Sequence, residues 1–407
     1  MYKFLINIAF FITCICKIIL PFYVEKNKND SLSFYDKFIN SNKKIDFYVG
    51  TPQIKIPIYI KCEYFPFYIS TFSDIYNQNN SKTYKQISKR ISFLLLNKIV
   101  IQGYQSEDTF IFNNNEINDF PFFLEIIPLF EYSGILGLNL KNQLDKESDN
   151  LLYNLKKKNL ISNYIWTYEF IDDKEEKGNL IIGEFPHNYN PKKYKEELLK
   201  YTNVEIFGSY IDWYILFNDI KIGNYSIDIR KVLLSLNFGL IKGTKQLEEI
   251  LINNYFKGKK YEKRKENIYT YYCFDDKSII DNFPSINFYI KEFNETFILT
   301  KEDLFTEYNK MYYLNIFFLD YDENVPYWIL GNIFLKKYQF IFNFDRRTIG
   351  YYSRINNNSK NNFLIILFII ILIIILMSLV YFYFKLTKKR KKRQNEINDI
   401  YEYISKD

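Results

Sequence analysis

Few side chains in this sequence are of a type that does chemistry alone, and their spacing narrows the field further. One histidine, His187, serves 407 residues, inside a Phe-Pro-His-Asn-Tyr-Asn run that reads as a surface loop. A Ser-His-Asp or Cys-His hydrolase needs a nucleophile within hydrogen-bond reach of its base. Neither Cys62 nor any serine has a supporting motif around it. Cys14 and Cys16 fall in an apolar leader, which leaves Cys62 and Cys273, too few for a disulfide-stapled secreted scaffold. Zinc needs several His or Cys ligands, so no metal or other cofactor is expected. The other hydrolytic route is acid–base: two carboxylates share one proton across a bound water. Whether this chain owns such a pair depends on which elements would bring two positions face to face.

The composition is 48% hydrophobic and 20% aromatic, ample for two lobes with their own cores. Its skew toward Asn, Lys, Ile, Tyr and Phe reads as coding bias. Formal net charge is +7, yet Lys385–Arg393 alone holds seven basic groups. The remainder is close to neutral, and no nucleic-acid partner is expected.

Both ends carry targeting features. Lys3 precedes an apolar run from Phe4 to Ile12, so residues 1–23 are assigned to a signal peptide, with an uncleaved anchor as the alternative. After a linker at 356–362, Phe363–Phe384 is uncharged and long enough to span a bilayer once, as a helix. The basic run that follows marks the cytoplasmic side, making 385–407 a cytoplasmic tail and the chain a type I membrane protein. Its expected location is the secretory pathway, the plasma membrane or the endolysosomal system. Asn29, Asn79, Asn224, Asn294 and Asn357 head Asn-x-Ser/Thr sequons on the lumenal side and are glycosylation candidates. Tyr401 and Ile404 form a candidate tyrosine-based sorting motif.

The body reads as strands. Phe47–Thr71 opens on a Gly50-Thr51-Pro52 turn, alternates through Ile54, Ile56, Ile58 and Ile60, and closes on a third apolar run. Ser133-Gly134-Ile135-Leu136-Gly137 has a counterpart in Trp328-Ile329-Leu330-Gly331, and this duplication points to two similar lobes. Asn150–Leu160 and Gln246–Tyr255 read as helices, and Ile165–Phe170 with Gly178–Gly183 as paired strands. Together with Trp213–Asn224, Pro284–Phe288 and the block Trp328–Gly350, these landmarks resemble the pepsin-like aspartic peptidase family in type and order. The resemblance covers roughly Phe47 to Tyr352.

It implies an all-β fold with short helices: a bilobed pepsin-like double β-barrel, lobes 24–190 and 191–355, followed by one transmembrane helix. Counting from Pro52, the family's first Asp-Thr-Gly falls on Lys61, Cys62 and Glu63. Counting back from Gly243, the second aspartate falls on Ser235, with Leu236 and Asn237 next. The flap tyrosine and its glycine fall on Leu96 and Asn97. Both catalytic aspartates are thus missing, and no residue is assigned a catalytic role. These eight residues are the cleft and flap candidates. The family's partner for Cys273 is also missing, which implies a free thiol. A buried lone lysine is costly, so Lys61 is expected either to pair with a carboxylate, Glu63 being nearest in sequence, or to reach solvent. The implied function is a pseudopeptidase whose cleft binds a peptide or protein ligand. Two alternatives stay open: an active aspartic-type endopeptidase using displaced acids, Glu63 or Asp228, and a surface receptor or adhesion ectodomain.

Overall fold

The computed structural model describes residues 17–24, 34, 38–39, 41–62, 66–71, 75–94, 100–127, 132–140, 150–172, 177–207, 210–319, 327–353 and 358–404. Glu63, Leu96 and Asn97, and the sequon residues Asn29 and Asn357, lie outside them. The chain divides into two compact units, Met1–Ser353 and Arg354–Asp407.

The first unit is built mainly of strands, as the alternating pattern requires. β1 (Ile18–Val24), β2 (Lys43–Val49), β3 (Ile54–Lys61) and β4 (Phe67–Ser70) belong to a sheet of fourteen described strands. That sheet also takes in Ile165–Asp172, Lys177–Ile182, Phe340–Asn343 and Thr348–Tyr352, so both halves of the chain share it. A nine-stranded sheet and a four-stranded sheet form the second lobe. Ile18–Val24, which but for Val24 falls within the 1–23 assigned to a signal peptide, lies between Lys177–Ile182 and β2, with Ile18 opposite Ile182 and Phe22 opposite Ile45. A short apolar run suits a sheet centre as well as a leader, which is why composition alone does not separate them.

The two lobes repeat one path. In the first, β3 runs parallel to Gly134–Gly137, which pairs antiparallel with β4, which runs parallel to Asn115–Ile127. In the second, Lys231–Leu234 runs parallel to Trp328–Leu330, which pairs antiparallel with Ile241–Lys242, which runs parallel to Met311–Leu319. The glycines of these paths are set by close approach. A Cβ on Gly331 would stand 2.2 Å from the Leu240 carbonyl oxygen and 2.4 Å from that of Phe238. Backbone oxygens cannot give way as a flexible side chain does, so the position accepts no side chain.

Both expected helices form. Asn150 caps Leu151–Lys157 by accepting from Leu152 N–H at 2.9 Å, and Thr244 caps Lys245–Ile250. The core between the lobes is aromatic. Trp166 stacks on Phe342 at 3.9 Å, and Trp213 meets both rings edge-on. Trp213 Nε1 also donates to the Leu138 carbonyl at 2.7 Å, bonding the start of the second lobe to the end of the first lobe's Ile-Leu-Gly segment.

In the second unit, Asn358–Ile404 is one helix. Its stretch Leu367–Arg393 has the length of a membrane span and contains eighteen consecutive residues of mean hydropathy 3.0.

Candidate functional site

Strand register identifies the two positions that the duplicated path makes equivalent. In the first lobe Tyr59 faces Ile135, Ile60 faces Leu136 and Lys61 faces Gly137. In the second Leu233 faces Ile329 and Leu234 faces Leu330, which puts Ser235 next, level with Gly331; its N–H donates to the Leu330 carbonyl at 3.3 Å. Lys61 and Ser235 are therefore mates under the internal repeat.

The loops carrying them meet. Cys62 N–H donates to Asn237 Oδ1 at 3.4 Å, and Asn237 N–H donates to Ser235 Oγ at 3.2 Å. All are sheltered: Lys61 is 8% exposed, Cys62 3%, Leu236 1%, Asn237 5% and Ser235 not at all. Lys61 is largely enclosed. Its ammonium donates to Asn42 Oδ1 at 2.8 Å and lies 5.5 Å from the centre of the Tyr132 ring. Asp228 is not brought to this centre. It is exposed on the loop before Lys231–Leu234, where Gln246 bonds both its backbone N–H and its carboxylate.

A second buried lysine closes the knot, and counting along motifs had not found it. Lys43, 1% exposed, donates to the Leu236 carbonyl at 2.5 Å, to Asn332 Oδ1 at 2.7 Å and to Ser41 Oγ at 3.2 Å. Asn332 Nδ2 returns to Ser41 Oγ at 2.8 Å, and Ser41 N–H donates to the Asn237 carbonyl at 3.0 Å. Ser41-Asn42-Lys43 thus touches the Lys61 side of the centre through Asn42 and the Ser235 loop through its neighbours. Two sequence signals could have pointed here. Lys43 shares the inward face of β2 with Ile45, Phe47 and Val49. Asn332 also follows Trp-Ile-Leu-Gly, where the resembled family has aspartate.

Other candidates have structural partners. His187 Nδ1 is 2.7 Å from the Tyr352 hydroxyl, which pins a first-lobe loop to the last strand. Asp108, fully buried within the Val100–Phe112 strand, accepts from Tyr76, Ser81, Thr83 and its neighbour's N–H. Burial and that carboxylate push the Tyr76 hydroxyl well above its ordinary range. Strands Ile91–Leu94 and Val100–Phe112 pair antiparallel, and the flap candidates Leu96 and Asn97 lie outside the described residues.

The matching block extends through most of the chain. A sequence model of the family described as "Eukaryotic aspartyl protease" matches residues 44–353. The chain belongs to the eukaryotic aspartyl protease family. Among curated members, Plasmepsin I from two isolates of Plasmodium falciparum is 23% identical over 300 residues, covering 68% of this chain and 59% of each relative. The chain thus aligns with less than two thirds of the length of these relatives.

Cys62 and Cys273 are both buried and free of disulfides. Burial, with Glu262 adding to it, pushes the Cys273 thiol up to about 11, so the nucleophilic thiolate is scarce at neutral pH. Native protein treated with iodoacetamide at neutral pH is therefore expected to leave both unmodified. Denaturant without reductant should expose both to labelling, read by peptide mass. Labelling of Cys273 in the native protein would contradict its placement.

Proposed function

We propose that this protein is a membrane-anchored aspartyl protease relative that has lost peptide-bond hydrolysis and binds a peptide or protein partner between its lobes. The observation that carries this is the register that makes Lys61 and Ser235 equivalent. Hydrolysis of the family's kind uses one carboxylate as base on the bound water and the other as acid toward the leaving group. A serine does not titrate in the working range, and an ammonium carries the wrong charge to share a proton with a second carboxylate. Losing both members of the pair removes the mechanism. Displaced acids do not repair it, because a shift of even about 1 Å is costly in catalysis.

The helix within Asn358–Ile404 supports a single-pass anchor. The basic run supports a lumenal or extracellular body. In this reading any leader ends ahead of Ile18, because β1 is needed to join Lys177–Ile182 to β2. Asn224 and Asn294 are the best-placed glycan acceptors, both exposed at hairpin turns. Asn79 is poorer, because its sequon hydroxyl, on Ser81, is spent on Asp108. The tail pair Tyr401 and Ile404 continues the helix as the sorting candidate.

The test is digestion of a mixed peptide library across acid to neutral pH, read by mass spectrometry. No cleavage above a heat-inactivated control is expected. Cleavage that disappears in Glu63→Gln or Asp228→Asn would establish an active endopeptidase with displaced acids instead.

A further inference from the structure

We infer that the centre between the lobes is a carboxylate-binding site, with Lys61 and Asn237 as its donors. This deepens the non-catalytic reading and rests on it. An acid pair makes a centre anionic. Here the first of the two equivalent positions holds a cation, and the second lies in a loop ending on an amide.

Lys61 is largely buried, and Asn42 Oδ1, a neutral oxygen, accepts from its ammonium at 2.8 Å. Asn237 is 5% exposed, its Oδ1 accepts from Cys62 N–H, and its Nδ2 is buried with no partner among the described residues. Burying an amide N–H without an acceptor costs free energy that folding normally avoids. An exception at the meeting point of two lobes is a donor left over for an acceptor from outside. The two donors belong to one knot. Cys62, next to Lys61, bonds Asn237, and Ser41, next to Asn42, bonds the Asn237 carbonyl.

A carboxylate suits this pair better than other acceptors. It has two oxygens, accepts only, and carries the charge that a sheltered ammonium attracts. One oxygen would take the place of Asn42 Oδ1 on Lys61, and the other would accept from Asn237 Nδ2. Lys43, the second buried ammonium, adds to the positive potential of the same knot. The ligand is therefore a peptide that presents a carboxylate at the middle of the groove, from a glutamate or aspartate side chain or from a chain terminus.

The test uses the full chain in detergent and three peptides bearing one neutral fluorophore. They are alike except that one has an internal glutamate and an amidated end, one an internal glutamine and an amidated end, and one an internal glutamine and a free terminal carboxylate. Anisotropy should show one acidic peptide binding at least about tenfold more tightly than the neutral one. That preference should collapse in Lys61→Met and persist in Lys61→Arg. Whichever acidic peptide wins identifies the source of the carboxylate. Equal binding of all three, binding of none, or a preference that survives in Lys61→Met overturns the inference. The wild-type comparison stands even if a variant misfolds. Intact peptides with no preference count against the carboxylate site alone, whereas cleaved peptides count against the non-catalytic reading beneath it.

Discussion

Replacing Lys43 by alanine is expected to destabilise the body of the protein by about 3–5 kcal/mol, the range for removing one partner from a buried charged network. The Leu236 carbonyl and Asn332 Oδ1 would lose the donor that reaches them at 2.5 and 2.7 Å. A space the size of the lysine stem would open at a position 1% exposed. Unfolding entropy of about 2.1 cal/mol/K per residue turns this into a fall of roughly 4–7 °C in Tm for a unit the size of Met1–Ser353. Differential scanning fluorimetry in detergent reads it. Lys43→Met separates the two causes. It keeps most of the volume but none of the hydrogen bonds, so it should recover only the packing part of the loss. A variant as stable as wild type would mean that this lysine does not tie the Ser235 loop to Asn332.

Trp213→Ala should be at least as damaging, at about 4–6 kcal/mol. Truncating a fully buried tryptophan costs about 3–5 kcal/mol, and stranding the Leu138 carbonyl adds about 1 kcal/mol. The ring is fully buried against Trp166, Phe342 and Phe344, residues drawn from both halves of the chain. Its Nε1 donates to the carbonyl that follows Ile135-Leu136-Gly137. Trp213→Phe keeps much of the apolar area and loses the donor, so it should fall between wild type and Trp213→Ala. Chemical denaturation followed by far-UV circular dichroism checks the order of the three proteins. If the phenylalanine variant matched the alanine variant, the hydrogen bond would be carrying the contact and the ring packing would not.

Much of the body was legible because its information is local. Gly50-Thr51-Pro52, the isoleucines of β3 and the two Ile-Leu-Gly segments are turn and period-two signals within a few residues of each other. Each appears in the structure as the strand it spells. Counting from those marks reached Lys61 and Ser235, and strand register pairs the same residues across the repeat. The knot around them was not legible, because it joins Ser41–Lys43 to Leu236 and Asn332, far away in sequence. A lysine in an alternating strand is ordinarily taken to face water. That the alternation puts Lys43 inward with Ile45 and Phe47 becomes informative only when Asn332 is known to be waiting there. The surroundings of Lys61 were not legible for a similar reason. Solvent was the cheap outlet in sequence terms, but the fold supplies Asn42 and the Tyr132 ring from two other segments.

The central claim is that no proton-sharing carboxyl pair stands where β3 and Lys231–Leu234 end. It is tested most directly by calorimetric titration with pepstatin methyl ester at acid pH, the ester removing the inhibitor's own carboxylate. The account predicts no saturable heat from the wild-type protein. Tight one-to-one binding that is lost in Glu63→Gln or Asp228→Asn would contradict it.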